Sequence, residues 1–166
     1  KFKFDKIAAI EARGFVFASA VSYILKKPFI LLRKKNKLPA DRYAVDFQLE
    51  YGKATMEIHK DSIDKNDSVL LIDDLIATGG TAGAGAKLIE ISNGSVAGFI
   101  FVINLFDLGG AKSLTKKGYK VENLIDFPGH WYCELTLYQD FLPKIEFNNP
   151  INLQVYFAFK TLLNIK

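Results

Sequence analysis

Short apolar runs alternate with amphipathic stretches along this chain, the rhythm of βαβ units around a parallel sheet. Residues 7–10 are the first apolar run and predict a buried strand, with a helix over 15–25 behind it. Pro28 punctuates, and 29–32 reads as the next strand. The polar stretch 34–41 carries Pro39 and predicts a loop. Residues 43–49 and 54–59 then read as two extended arms of a hairpin or flap about Tyr51 and Gly52. The clearest strand is 69–73, a continuous apolar run suited to a position covered on both faces. A helix over 81–91 follows, although Gly83 and Gly85 each weaken it by about 1 kcal/mol relative to alanine. A buried strand over 97–104, a short helix over 109–117 and a last strand over 121–127 continue the alternation. Beyond Pro128-Gly129-His130 the rhythm stops, and an aromatic-rich tail is broken by Pro143 and Asn148-Asn149-Pro150. The expected division is a core over 1–130 and a tail of unassigned structure over 131–166.

Composition narrows the class without naming a function. The chain has 166 residues, 49% hydrophobic and 24% charged, which suits one ordinary globular domain. Its net charge of +4 is mostly lysine, and blocks such as Arg33-Lys34-Lys35 are too short to argue for nucleic acid. A mildly basic surface also suits a substrate that carries several phosphate charges. Cys133 is the single cysteine, so no intrachain disulfide forms, in keeping with a reducing compartment. No apolar run reaches the roughly 18–20 residues that span a bilayer. Asp5 interrupts the start where a secretory signal would be apolar. The expectation is a cytoplasmic protein with neither membrane nor nucleic acid as partner. A start at Lys1 rather than methionine predicts a processed or truncated chain.

The chemistry concentrates in Val69-Leu70-Leu71-Ile72-Asp73-Asp74-Leu75-Ile76-Ala77-Thr78-Gly79-Gly80-Thr81. An apolar strand leads into two adjacent carboxylates, a turn of small residues and a helix. Small residues let backbone N–H groups approach an anion, and the helix N-terminus adds unpaired donors and a favourable dipole. Thr78 and Thr81 add hydroxyls. Carboxylates beside such a nest repel a phosphate unless they face something else, and ribose hydroxyls, as donors, answer that need. Alone, Asp73-Asp74 reads equally as a capped helix or a solvated turn. A Walker A loop is excluded because Lys87 follows Ala86 and precedes Leu88, and the dinucleotide fingerprint fails after Gly83-Ala84-Gly85.

The segment resembles the phosphoribosyl-diphosphate signature of the type I phosphoribosyltransferases. Glu11-Ala12-Arg13-Gly14-Phe15, Arg33-Lys34-Lys35-Asn36-Lys37-Leu38-Pro39, Leu49-Glu50-Tyr51-Gly52, Asn104-Leu105-Phe106-Asp107-Leu108-Gly109-Gly110 and Phe127-Pro128-Gly129-His130 resemble its adenine branch. Together they cover about residues 7–130. The resemblance implies an α/β fold, an open, mostly parallel sheet with helices on both faces and substrate at the carboxyl ends of its strands. It implies conversion of adenine and 5-phosphoribosyl 1-diphosphate to AMP and diphosphate, a purine-salvage step, in a homodimer. Magnesium would travel with the substrate diphosphate rather than in a protein-only cage, with Asp73 or Asp74 as the groups nearest to it.

The same resemblance distributes roles. Asp73 and Asp74 would hold the ribose hydroxyls, directly or through magnesium, and Ala77, Thr78, Gly79, Gly80 and Thr81 would wrap the 5′-phosphate. Glu11, Ala12 and Arg13 would form the diphosphate loop, with a cis peptide expected between Glu11 and Ala12. Arg33, Lys34 and Lys37 would neutralise the departing diphosphate, in part across a dimer interface. Glu50 would manage a proton on the adenine ring and Tyr51 would pack over the reacting centre, while Leu75 and Asp73 line the base side. Arg13 and Glu50 taken singly read equally as surface groups, and His59, His130 and Cys133 have no metal-ligand spacing. The family's base-recognising N-terminal segment is expected to be missing ahead of Lys1. Two rivals stay open: a transferase for another purine such as xanthine, and a non-catalytic domain that senses phosphoribosyl diphosphate.

Overall fold

The computed structural model describes residues 2–49 and 52–129. Its strands in chain order are β1 (Lys6–Ile10), β2 (Phe29–Lys34), β3 (Arg42–Leu49), β4 (Gly52–His59), β5 (Ser68–Ile76), β6 (Ser95–Leu105) and β7 (Val121–Phe127). Three α-helices are interleaved with them, α1 (Gly14–Leu25), α2 (Gly80–Ile91) and α3 (Gly110–Lys116). The strands join in one sheet of order β3-β4-β2-β1-β5-β6-β7. The five from β2 to β7 in that order run parallel, and the β3–β4 hairpin is antiparallel at one edge. The open, mostly parallel sheet is thus the one expected.

Two apolar layers explain why the central strands read as unbroken hydrophobic runs. Ile7, Ala9, Leu70, Ile72, Ile100 and Val102 pack with Ala18 and Val21 of α1 on one face. Ala8, Ile10, Val69, Leu71, Phe99 and Phe101 pack with Leu88 and Ile89 of α2 and Leu114 of α3 on the other. A strand covered on both faces has no polar side to alternate with. Among the described residues no helix is long and apolar enough to cross a membrane.

β1 and β5 lie side by side, and their chains leave in opposite directions. β1 crosses through α1 to β2 on one side, whereas β5 crosses through α2, on the other face, to β6 on the other side. The loops after β1 and β5 therefore splay apart at the carboxyl end of the sheet and leave a crevice between them, the usual ligand position in doubly wound sheets.

Several boundaries differ from the sequence reading. β5 continues past Asp73 to Ile76, because pairing with β6 persists through Asp73↔Phe101, Leu75↔Ile103 and Ile76↔Asn104. Both carboxylates thus belong to the strand and not to a turn after it. β6 extends to Ser95 and Leu105, and β4 begins at Gly52, opposite Leu49. The helix expected over 109–117 is preceded by a 3₁₀ turn over Phe106–Leu108 and begins at Gly110. Lys34 ends β2 and so leaves the predicted loop. The tail over 131–166, with His130, lies outside the described residues.

The two helix glycines differ in what surrounds them. A Cβ on Gly83 would meet only Lys117 Nζ, at 3.9 Å, whereas one on Gly85 would lie 3.0 Å from Leu32 Cδ1 and 3.3 Å from Leu71 Cδ2. Gly83→Ala is expected to stabilise the fold by about 0.5–1 kcal/mol, the helix-propensity gain. Gly85→Ala should forfeit that gain, since two core leucines must yield; urea-unfolding midpoints of the two variants check the contrast.

Candidate active site

A cleft of about 460 Å³ opens at the β1/β5 crevice. One wall is the loop after β1, with Glu11, Ala12 and Arg13, and another is the end of β2, with Arg33 and Lys34. Its floor is Asp73, Asp74 and Leu75 of β5 and the turn Ala77-Thr78-Gly79-Gly80-Thr81. These residues stand far apart in the chain, and the strand order alone brings them together.

The turn after β5 leaves backbone donors facing the cleft. Gly79 sits at φ +84°, a left-handed conformation that side chains resist, and begins α2 with no side-chain cap. Gly83 N–H donates to Gly79 O at 2.9 Å as the helix starts. The earlier N–H groups of the first turn are the donors that a helix cannot satisfy internally, and Gly80, Thr81 and Ala82 line the cleft there.

The two acids have different surroundings. Burial pushes the Asp73 carboxyl up to about 7, and the neighbouring Asp74 charge adds to the rise. The Asp74 backbone N–H, which donates to Asp73 Oδ1 at 2.9 Å, and the Arg13 charge work against it. Arg13 Nε donates to Asp74 Oδ2, so two residues assigned by resemblance to different parts of one substrate pair with each other. Arg13 is otherwise exposed, and the hydrogen bond to Asp74 raises its pKa further.

The basic wall is held from within. Glu11 Oε2 accepts the Lys34 backbone N–H at 2.9 Å, and Glu11 Oε1 accepts Arg33 Nη2 at 3.4 Å. Burial works to raise the Glu11 pKa, but the Lys34 amide and the Arg33 guanidinium outweigh it and hold the carboxyl below its usual range. Arg33 Nη1 donates to Lys37 O at 2.8 Å. Glu11 thus serves as an internal counter-ion to Arg33 while it lines the cleft. Lys37 does not line the cleft, although its charge reaches Glu11. The Glu11–Ala12 peptide is cis, as expected.

The hairpin supplies a wall that the sequence reading missed. Phe47 of β3 and Ala54, Thr55 and Met56 of β4 line the cleft. Phe47 pairs with Ala54 and Val45 with Met56, so the alternating apolar positions of both arms fall on one face. That alternation was the available signal, but it does not say which surface the face covers. Glu50 and Tyr51 fall in the two-residue connection and lie outside the described residues. Among the described residues no group of three or more His, Cys, Asp or Glu is placed to hold a metal ion. Asp73 and Asp74 are two adjacent carboxylates, a set that suits magnesium only if most of its oxygens come from elsewhere.

The phosphoribosyl transferase domain family matches residues 1–134. A Pelagibacter ubique protein named adenine phosphoribosyltransferase is 76% identical over 129 residues, covering 78% of this chain and 74% of its own length. One of the same name from Pelodictyon phaeoclathratiforme is 52% identical over 126 residues, covering 76% and 71%. Among solved structures, the adenine phosphoribosyltransferase of Thermoanaerobacter pseudethanolicus superposes with a TM-score of 0.73 at 46% identity, over 76% of this chain and 72% of its own. The Saccharomyces cerevisiae enzyme, solved with an imino-altritol bisphosphate and adenine, gives 0.70 at 34% identity over 75% and 69%.

The half-buried Asp73 makes a pH signature. Unfolded, Asp73 releases its proton near 3.8, whereas the folded chain keeps it to about 7. Between those values the folded state binds more protons, so the contribution of Asp73 to stability falls as pH rises through that window. Asp73→Asn is expected to flatten this decline and to raise the melting temperature above pH 7; thermal unfolding of both proteins from about pH 4 to about pH 8 measures it.

Proposed function

We propose how this chain, which belongs to the phosphoribosyl transferase family and within it to the adenine phosphoribosyltransferases, carries out its reaction. The reaction joins adenine to the phosphoribosyl group of 5-phosphoribosyl 1-diphosphate and yields AMP and diphosphate, a step of purine salvage. The bond between the anomeric carbon and the diphosphate oxygen breaks, its electron pair leaves with diphosphate, and adenine supplies the new bond. Positive charge develops at the anomeric carbon as this happens. The protein's work is to orient the partners, neutralise the leaving group and keep water away.

One observation carries the assignment of parts: the anion-binding turn, the paired acids and the basic wall line a single cleft. Ala77, Thr78, Gly79, Gly80 and Thr81 bind the 5′-phosphate through backbone N–H groups and hydroxyls. Asp73 and Asp74 accept hydrogen bonds from the ribose hydroxyls. Arg13 leaves Asp74 for the diphosphate, with Arg33 and Lys34 adding positive charge and Lys37 contributing from further off. Leu75 borders the base. Glu50 takes up the proton that adenine releases, and Tyr51 covers the reacting centre. Magnesium would neutralise part of the diphosphate charge, held mainly by diphosphate and water oxygens with Asp73 or Asp74 nearest to it. The working unit is the core over 1–130, and 131–166 is a tail beyond it.

The protein acts in the cytoplasm as a homodimer. Val16 and Tyr23, 69% and 85% exposed, share the outward face of α1 with Ile24, an apolar stripe suited to a symmetric partner. Tyr23→Asp is expected to shift the protein to monomer in light scattering. For the chemistry, Thr78→Ala with Thr81→Ala should raise KM for phosphoribosyl diphosphate by about 100-fold or more, the loss of two hydrogen bonds to a charged group. Glu50→Ala should lower kcat by roughly 100-fold while leaving that KM in place. Steady-state assays of AMP formation read both, and an undiminished kcat in Glu50→Ala removes the acid–base assignment.

A further inference from the structure

The turn after β5 is held from behind by a segment to which the reaction assigns nothing. After β6 the chain passes through the 3₁₀ turn Phe106–Leu108, bends at Gly109 with φ +75° and enters α3 at Gly110. Gly110 N–H donates to Ala77 O at 3.0 Å. There is no room for a side chain at this contact. A Cβ on Gly110 would lie 2.3 Å from Ala77 O, 2.7 Å from Gly79 N and 2.8 Å from the carbonyl carbon of Thr78. The closeness is mutual, since a Cβ on Gly79 would meet Gly110 O at 3.1 Å. Two backbones therefore touch directly, and neither can shift without the other. The far end of the segment is tied as well: Asp107 Oδ1 accepts the Gly129 N–H at 2.6 Å.

The consequence follows from peptide geometry. The Ala77 carbonyl and the Thr78 N–H belong to one planar trans peptide and point in opposite directions. A bond that fixes Ala77 O toward α3 thereby aims the Thr78 N–H away from α3, on a residue that lines the cleft. We propose that Gly110 is a positioning residue for the 5′-phosphate: it sets the orientation of the turn's donors through backbone contact alone. This rests on the reading of 77–81 as the phosphate turn.

The test compares Gly110→Ala with Gly83→Ala, a helix substitution whose Cβ meets only the tip of Lys117. Gly110→Ala should weaken ribose 5-phosphate binding, measured by calorimetry, by about 10- to 100-fold, the scale of a small misplacement of a binding group. KM for phosphoribosyl diphosphate should rise in step, KM for adenine should hold, and Gly83→Ala should change none of these. If Gly110→Ala binds ribose 5-phosphate like the wild type, the proposal is overturned. Should that variant fail to fold, hydrogen exchange on the wild-type protein decides. Ribose 5-phosphate should slow exchange at the Gly110 amide, and unchanged exchange there rejects the idea. Thr78→Ala with Thr81→Ala separates the two levels. Undiminished ribose 5-phosphate binding in that double variant removes the phosphate-turn reading and the inference with it. Weakened binding there, with normal binding in Gly110→Ala, removes only the role of Gly110.

Discussion

Asp73 and Asp74 bring two carboxylates, one of them withdrawn from water, to the end of a strand flanked by parallel neighbours, and the surroundings are arranged in response. A carboxylate taken from water resists ionisation, and an adjacent like charge makes it resist more, which is why Asp73 keeps its proton to about 7. The Asp74 amide and the Arg13 guanidinium oppose that tendency. Arg13 comes from the loop after β1, so β1 must lie beside β5 for the acids to have a counter-ion. The strand order that opens the crevice is the same order that makes the acid pair tolerable. Site and fold share one constraint.

Opposite charge is managed on the facing wall by two glutamates. Glu11 holds the Arg33 guanidinium and the Lys34 amide at the end of β2. Glu57, only 3% exposed, pairs with Arg42 at 3.1 Å and accepts the Asn36 N–H at 3.0 Å. The Lys35 N–H donates to Thr55 O on β4, so the basic loop is fastened along its length to the sheet and hairpin. Clustered cations repel one another, and buried or half-buried carboxylates behind them let several stand near one anion without scattering. The wall is thus preorganised for negative charge, which is the condition for a fixed electrostatic environment to aid a reaction.

Much of this was legible in the chain itself. The apolar runs over 7–10, 69–73 and 97–104 announced strands covered on both faces, and the Asp-Asp and Ala-Thr-Gly-Gly-Thr sequence announced two acids beside a small-residue turn into a helix. The continuation of β5 to Ile76 was hidden because its reason is pairing with β6, while two adjacent acids interrupt the apolar run there. The pairing of Glu11 was hidden for a similar cause: its partners Arg33 and Lys34 lie 22 and 23 positions away. Phe47 and Met56 showed a hairpin face but not what it covers, since that depends on how β4 joins β2. Gly110 stood in a motif of the resemblance, but its reason was hidden, because a requirement for empty space is set by a neighbour distant in sequence. Local chemistry was readable, and counter-ions, packing surfaces and steric vacancies were not.

The central position of β1 bears on how the protein comes into being. β1 leaves the ribosome before β5, one of its two flanking partners, and Arg13 and Asp74 are separated by 61 positions. At about 5–20 residues per second, the interval between synthesis of those two residues lasts roughly 3–12 s. For that time an apolar strand edge has no native neighbour on one side, a state open to mispairing and to chaperones. Because β1 sits between β2 and β5, the crevice beside it can close only after β5 has been made, when the β1–β2 pair is already available.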